Sequence, residues 1–131
     1  MARIKEDEYP VEKVSENRKR ICLTIDLKDD QGKIKKYLEL HEPKNIWPEI
    51  PRGIIDSGIK VMDIYHIDNR LFMICEVEYG YEFNDCFNVV SSLEKQEEWA
   101  QLMRTFQKGI PARKQEWIQM KRVFSLTDNI I

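Results

Sequence analysis

The chain, 131 residues long, is predicted to fold as one α+β domain of βαββαβ order. Three features of the sequence carry that prediction. A strict alternation at Ile21, Leu23, Ile25 and Leu27 is followed by a helical stripe at Ile34, Tyr37, Leu38 and His41. Two strand-forming runs, Ile59–Ile67 and Leu71–Glu78, are separated only by Asp68, Asn69 and Arg70. A second helical stripe, Trp99, Leu102, Met103 and Phe106, is followed by a strand-like run from Trp117 to Leu126.

The first strand alternates apolar with Cys22, Thr24 and Asp26, which leaves one face for a core. Asp29 or Asp30 is placed to cap the helix that follows. Pro43 ends that helix, because the proline ring disfavours helical backbone just before it and its nitrogen has no proton. Residues Ile46–Gly58 read as a short second helix. Pro48 suits its first position and Pro51 its first turn, where backbone N–H groups lack helical partners anyway. Gly53 costs that helix about 1 kcal/mol relative to alanine, so packing of Trp47, Ile50 and Ile54 must hold it. Gly58 is a natural end.

Asn69 tolerates the left-handed backbone of a tight hairpin between the next two strands. The second of them, Leu71–Val77, is apolar on both faces and belongs in the middle of the sheet. Phe83, Phe87 and Val90 continue at helical spacing. Ser91 and Glu94 then form a capping-box pattern for the last helix, which Gly109 and Pro111 close. Helices gathered on one face of a mostly antiparallel sheet give a ferredoxin-like sandwich. The apolar second face of the central strand needs a cover, and a second copy of the chain would supply it in a symmetric dimer. Residues 1–18 are polar and without period. They are expected to be a flexible or surface-draped extension, leaving 19–131 as the domain.

Composition narrows the function classes. The formal net charge is −2, with 42% hydrophobic and 34% charged residues of both signs. A protein that holds nucleic acid or acidic lipid by Coulomb attraction should carry a basic excess, so neither partner is expected. No apolar run approaches the ~20 residues that span a bilayer, and the charged N-terminus does not resemble a secretory signal. Cys22, Cys75 and Cys86 form no CxxC pair; Cys22 and Cys75 sit in apolar strand-like runs as small buried thiols, and a reducing cytoplasm with no zinc site is expected.

Tyr37 and His41 stand one turn apart on the core-facing side of the first helix. A histidine there can both take and give a proton near neutrality, although a buried imidazole more often only satisfies a core partner. Trp99 could be core or the aromatic wall of a pocket. His66, near the hairpin, reads as surface; Tyr65 as pocket or interface; Trp117 as core or interface.

The cluster Tyr37-x-x-x-His41, then Ile46-Trp47-Pro48-Glu49, then Ser57-Gly58 before a strand, then Trp99, resembles the L-rhamnose mutarotase family from Arg20 to about Leu126. The resemblance implies a dimeric α+β barrel of ferredoxin-like subunits. It implies an enzyme that interconverts the α and β anomers of a 6-deoxyhexose, with no metal and no organic cofactor. His41 then matches the family's catalytic histidine and Tyr37 its sugar-contacting tyrosine. Trp99 matches the second tryptophan of a pair on the last helix, while Glu98 stands in place of the first. Met62 stands where a strand tyrosine would contact the sugar, and there are extra residues between His41 and Ile46. These departures bear on which sugar is bound, L-rhamnose or L-fucose, more than on the reaction. Glu98, Tyr37 or a water could assist His41, and Trp47 or Trp99 suits the apolar face of a deoxysugar. A non-catalytic sugar-binding module on the same fold is the competing reading, since fold alone does not fix function. A monooxygenase or haem-binding relative of the same architecture is set apart by the tyrosine–histidine pair with its Ile-Trp-Pro-Glu.

Overall fold

In a computed structural model, residues 4–5, 12–15, 17–110 and 116–126 are described. The elements in chain order are β1 (Glu12–Ser15), β2 (Arg18–Asp26), α1 (Gln31–Leu40), α2 (Glu49–Asp56), β3 (Ile59–Ile67), β4 (Arg70–Glu78), α3 (Phe83–Ser92), α4 (Gln96–Arg104) and β5 (Ile118–Gln119). The sheet runs β1-β2-β4-β3, with β5 also paired to β2, and every described pairing is antiparallel. Leaving out β1, the order β5-β2-β4-β3 is the ferredoxin-like arrangement that the element order predicts.

Register follows from alternation. Ile21, Leu23 and Ile25 oppose Cys75, Met73 and Leu71 across β2 and β4, and all six are buried. That face carries the helices and the core, joined by Phe83 and Phe87 of α3. Each such aliphatic or aromatic side chain contributes about 1.5–3 kcal/mol by leaving water. At the far end of the same strands Arg70 Nε and one Nη donate to the two oxygens of Asp26, at 2.7 and 3.0 Å. This fork holds the β2–β4 register where the hairpin turns. The turn itself is Asp68-Asn69, and it is Asp68 that takes the left-handed backbone (φ 52°).

Local signals behave as expected along α1 and α2. The Asp30 side chain accepts from the N–H of Lys33 and caps α1, which ends at His41 ahead of Pro43. α2 begins after Pro48. Gly58 adopts φ +104° beyond its end, where a Cβ would strike the Tyr81 ring at 2.6 Å.

Three expectations are corrected. Part of the N-terminal extension has a buried face. β1 pairs with β2, and Ile4 is 4% exposed. Ile4 N–H donates to Asn84 Oδ1 and its carbonyl accepts from Asn84 Nδ2, while Lys5 N–H donates to Gln119 Oε1. Backbone pairing of this kind needs no apolar period, so the sequence pattern did not mark it. The capping-box reading of Ser91 also fails. Ser91 lies inside α3 and bonds the Phe87 carbonyl, and α4 starts instead after left-handed Lys95 (φ 68°). The final strand is cut to Ile118–Gln119, and Val123, Phe124 and Leu126 beyond it are exposed.

The second face of the sheet carries Phe72 and Ile74 of β4, both half-buried, beside Tyr65 and Ile67 of β3, both exposed. Among the described residues no helix is long and apolar enough to cross a membrane.

Candidate active site

Between the helices and the inner face of the sheet lies a cavity of about 480 Å³. That is the size of a small-ligand site. α1 contributes Tyr37 and His41, the sheet contributes Met62, Ile64 and Met73, and α4 contributes Gln96, Trp99 and Met103. These positions converge because β2, β3 and β4 turn one parity of side chains toward the helices, and because residues 96, 99 and 103 fall on one stripe of α4.

His41 closes α1 as its C-terminal cap. Its Nδ1 lies 2.7 Å from the Tyr37 carbonyl oxygen. A carbonyl can only accept, so Nδ1 carries the proton in that bond. The neutral ring then has its lone pair on Nε2, which is the atom able to take a proton. Burial, which disfavours the imidazolium, lowers the His41 pKa from 6.5, and the bond to the Tyr37 carbonyl offsets this only in part. Neutral His41 is therefore the resting form at pH 7.

Aromatic rings hold the imidazole. The Tyr37 ring lies 4.3 Å from it between centroids, and Trp99 meets it edge-to-face at 5.3 Å. Trp47 meets Trp99 in turn, edge-to-face at 5.0 Å. Such geometry matches the positive edge of one ring to the negative face of the next. The Tyr37 hydroxyl is strongly raised in pKa by burial, against a side-chain hydrogen bond with Gln107 that lowers it. Tyr37 thus remains a protonated phenol.

Of the residues expected from sequence, His41, Tyr37, Trp99 and Met62 line this one cavity. Trp47 is half-buried, packs edge-to-face on Trp99 and is not among the residues that line the cavity. Glu98 is exposed on α4 and does not face the cavity. It sits two residues after inward Gln96, about 200° around the helix, so its neighbour Glu97 lies at the cavity instead. Trp117 is buried and lines the cavity as well, while Tyr65 and His66 are exposed and lie outside it. Gln96, Gln107, Arg104 and Glu116 are polar residues of the lining that sequence reasoning missed. Gln96 alone had a signal: it precedes Trp99 by three residues and so shares its face.

A family model described as L-rhamnose mutarotase matches residues 20–126. The chain belongs to the L-rhamnose mutarotase family. Members of this family are carbohydrate isomerases that act on the anomeric centre. An L-fucose mutarotase of Xanthomonas campestris pv. campestris is 29% identical over 113 residues, which cover 85% of this chain and 90% of that protein. A UPF0734 protein of Dictyostelium discoideum is 33% identical over 93 residues, 70% of this chain and 73% of that protein. Among solved structures, an L-rhamnose mutarotase from Formosa agariphila superposes with a TM-score of 0.58 at 21% identity, covering 82% of this chain and 97% of its own. That likeness supports the ferredoxin-like fold of this mutarotase-family chain.

Proposed function

We propose that this mutarotase interconverts the anomers of a 6-deoxyhexose in the cavity between α1, α4 and the sheet, with His41 as general acid/base. The observation that carries the proposal is the bond from Nδ1–H to the Tyr37 carbonyl, which reserves Nε2 for proton exchange.

Nε2 accepts the proton of the anomeric hydroxyl. As that O–H bond breaks, the C1=O bond forms and the C1–ring-oxygen bond breaks. The ring oxygen takes up a proton, from the imidazolium or from water, giving the open aldehyde. Rotation about the adjoining carbon–carbon bond presents the other face of C1, and the same steps run backwards. General acid/base help of this kind supplies ~10²–10⁴-fold, a useful gain over the slow spontaneous reaction. Trp99 and Met62 offer the apolar surface that a ring face and C6 methyl need. Tyr37, as a protonated phenol, contributes a polar contact in the cavity.

L-Rhamnose is the first substrate proposed, on the family match. L-Fucose is the second, because a relative of matching length carries that activity in its name. Saturation transfer between anomer resonances, run on both sugars and on common hexoses, tests the proposal. Accelerated exchange of one 6-deoxyhexose is expected, and exchange of neither would refute it.

Two further parts of the reading concern assembly and place. Phe72 and Ile74, with Tyr65 and Ile67 beside them, favour a homodimer that covers the second face of the sheet. Three unpaired cysteines, two of them buried, fit the reducing cytoplasm.

A further inference from the structure

Gln96 opens α4, and its side chain turns inward until only 6% of the residue is exposed. Its Nε2 donates to the carbonyl oxygens of Glu49 at 3.1 Å and Ile50 at 3.3 Å, both in the first turn of α2. Carbonyl oxygens only accept, so these two bonds fix which end of the amide is nitrogen. The seat exists because residue 53 is glycine, where a Cβ would stand 2.5 Å from Nε2. Among the described residues, every fully buried side-chain nitrogen or oxygen has a partner. Among the described residues none donates to Gln96 Oε1, so this oxygen is not fully enclosed by protein, and Gln96 lines the cavity.

From this we propose that Gln96 is a positioning residue for the sugar, its Oε1 accepting a hydrogen bond from one ring hydroxyl. The inference rests on the reading of the cavity as the sugar site. Aromatic and thioether walls grip a sugar face without reading its hydroxyls. An acceptor locked by α2 does read them, because a substrate lacking that hydroxyl leaves Oε1 unpaired. Rotating the amide to accommodate such a substrate would turn Oε1 against two carbonyl oxygens.

The test is a matrix of dissociation constants. L-Rhamnose, L-fucose and analogues of each lacking one ring hydroxyl in turn are titrated into wild type and Gln96→Met, with exchange rates measured alongside. One analogue should bind wild type about tenfold more weakly than its parent. In Gln96→Met that difference should collapse to under about twofold, the coupling expected when both partners of one bond are removed. A merely structural role for Gln96 would weaken all the sugars alike and leave the difference intact, which would overturn the assignment. Gly53→Ala provides the second variant should Gln96→Met fail to fold. It keeps Gln96, improves the helix propensity of α2, and displaces the amide from its seat. The same loss of discrimination is expected there, and retained discrimination overturns the assignment. If wild type neither binds nor exchanges any of these sugars, the sugar-site reading falls and the assignment with it. If wild type exchanges a sugar but the variants discriminate hydroxyls as it does, only the role of Gln96 falls.

Discussion

The carbonyl oxygen of Tyr37 and Nδ1 of His41 stand 2.7 Å apart, one helical turn from residue to residue. This contact ties the tautomer of the imidazole to the end of α1, where the His41 backbone N–H donates to the Leu38 carbonyl and not to that of Tyr37. The sequence spacing of four thus does more than put two side chains on one face. It lets the backbone of one set the protonation of the other.

The first prediction concerns pH. Because the folded pKa of His41 lies below 6.5, the base form persists at neutrality. Catalysed exchange should be flat above pH 6.5 and fall as pH drops through the depressed folded value. Stability should carry the matching sign. Between the folded and unfolded pKa the unfolded chain binds more protons, so stability rises with pH through that window and levels off above about 6.5. Denaturant titrations of wild type and His41→Asn at a series of pH values check this. The two proteins should converge in pH dependence only outside the window.

Tyr37→Phe should weaken sugar binding with a smaller loss of rate. It removes a hydroxyl that contributes roughly 0.5–1.5 kcal/mol and leaves the backbone carbonyl that orients His41. Steady-state exchange at several sugar concentrations separates the two effects. A fall in maximal rate as large as that of a His41 variant would make the phenol a proton donor in the reaction.

A variant lacking residues 1–15 should fold but melt lower. Ile4 is buried, Asn84 and Gln119 bond the backbone of residues 4 and 5, and β1 closes one stretch of the β2 edge. Removing an Ile from a buried site costs about 2 kcal/mol, so a melting temperature lower by roughly 5 °C or more is expected. An unchanged melting temperature would mean that these contacts add nothing to stability.

The second face of the sheet should be buried between two copies. Sedimentation at micromolar concentration should give a dimer, and Ile74→Glu, which places a charge on that face away from the core, should give a folded monomer. A well-folded wild-type monomer would sink the dimer.

The order of β2 to β5, with helices between β2 and β3 and between β4 and β5, was legible because alternation and helical stripes are local patterns. A cap at Asp29 or Asp30 and a tight turn around Asn69 were legible for the same reason, although the turn is only Asp68-Asn69 and its left-handed residue is Asp68. β1 was not: Glu-Lys-Val-Ser pairs through its backbone, and its side chains satisfy no apolar rule. The start of α4 was missed because a left-handed Lys95 sets it, and lysine gives no sign of that conformation. In the site, His41, Tyr37, Trp99 and Met62 could be named from spacing and family resemblance. Glu98 was drawn in by its neighbour Trp99, although helix geometry turns it outward. Gln96 and Gln107 escaped notice because a glutamine acquires a role only from what lies across from it, here α2 and the Tyr37 hydroxyl.

The central claim is that Nε2 of His41 moves the proton at the anomeric centre. Its most direct test is saturation transfer between the α and β anomers of L-rhamnose, and of L-fucose, with wild type, His41→Ala and His41→Asn at pH 7. Accelerated exchange of at least one sugar is expected with wild type and none above background with either variant, both keeping the wild-type circular dichroism spectrum. Wild-type exchange rates in folded His41→Ala would contradict that claim.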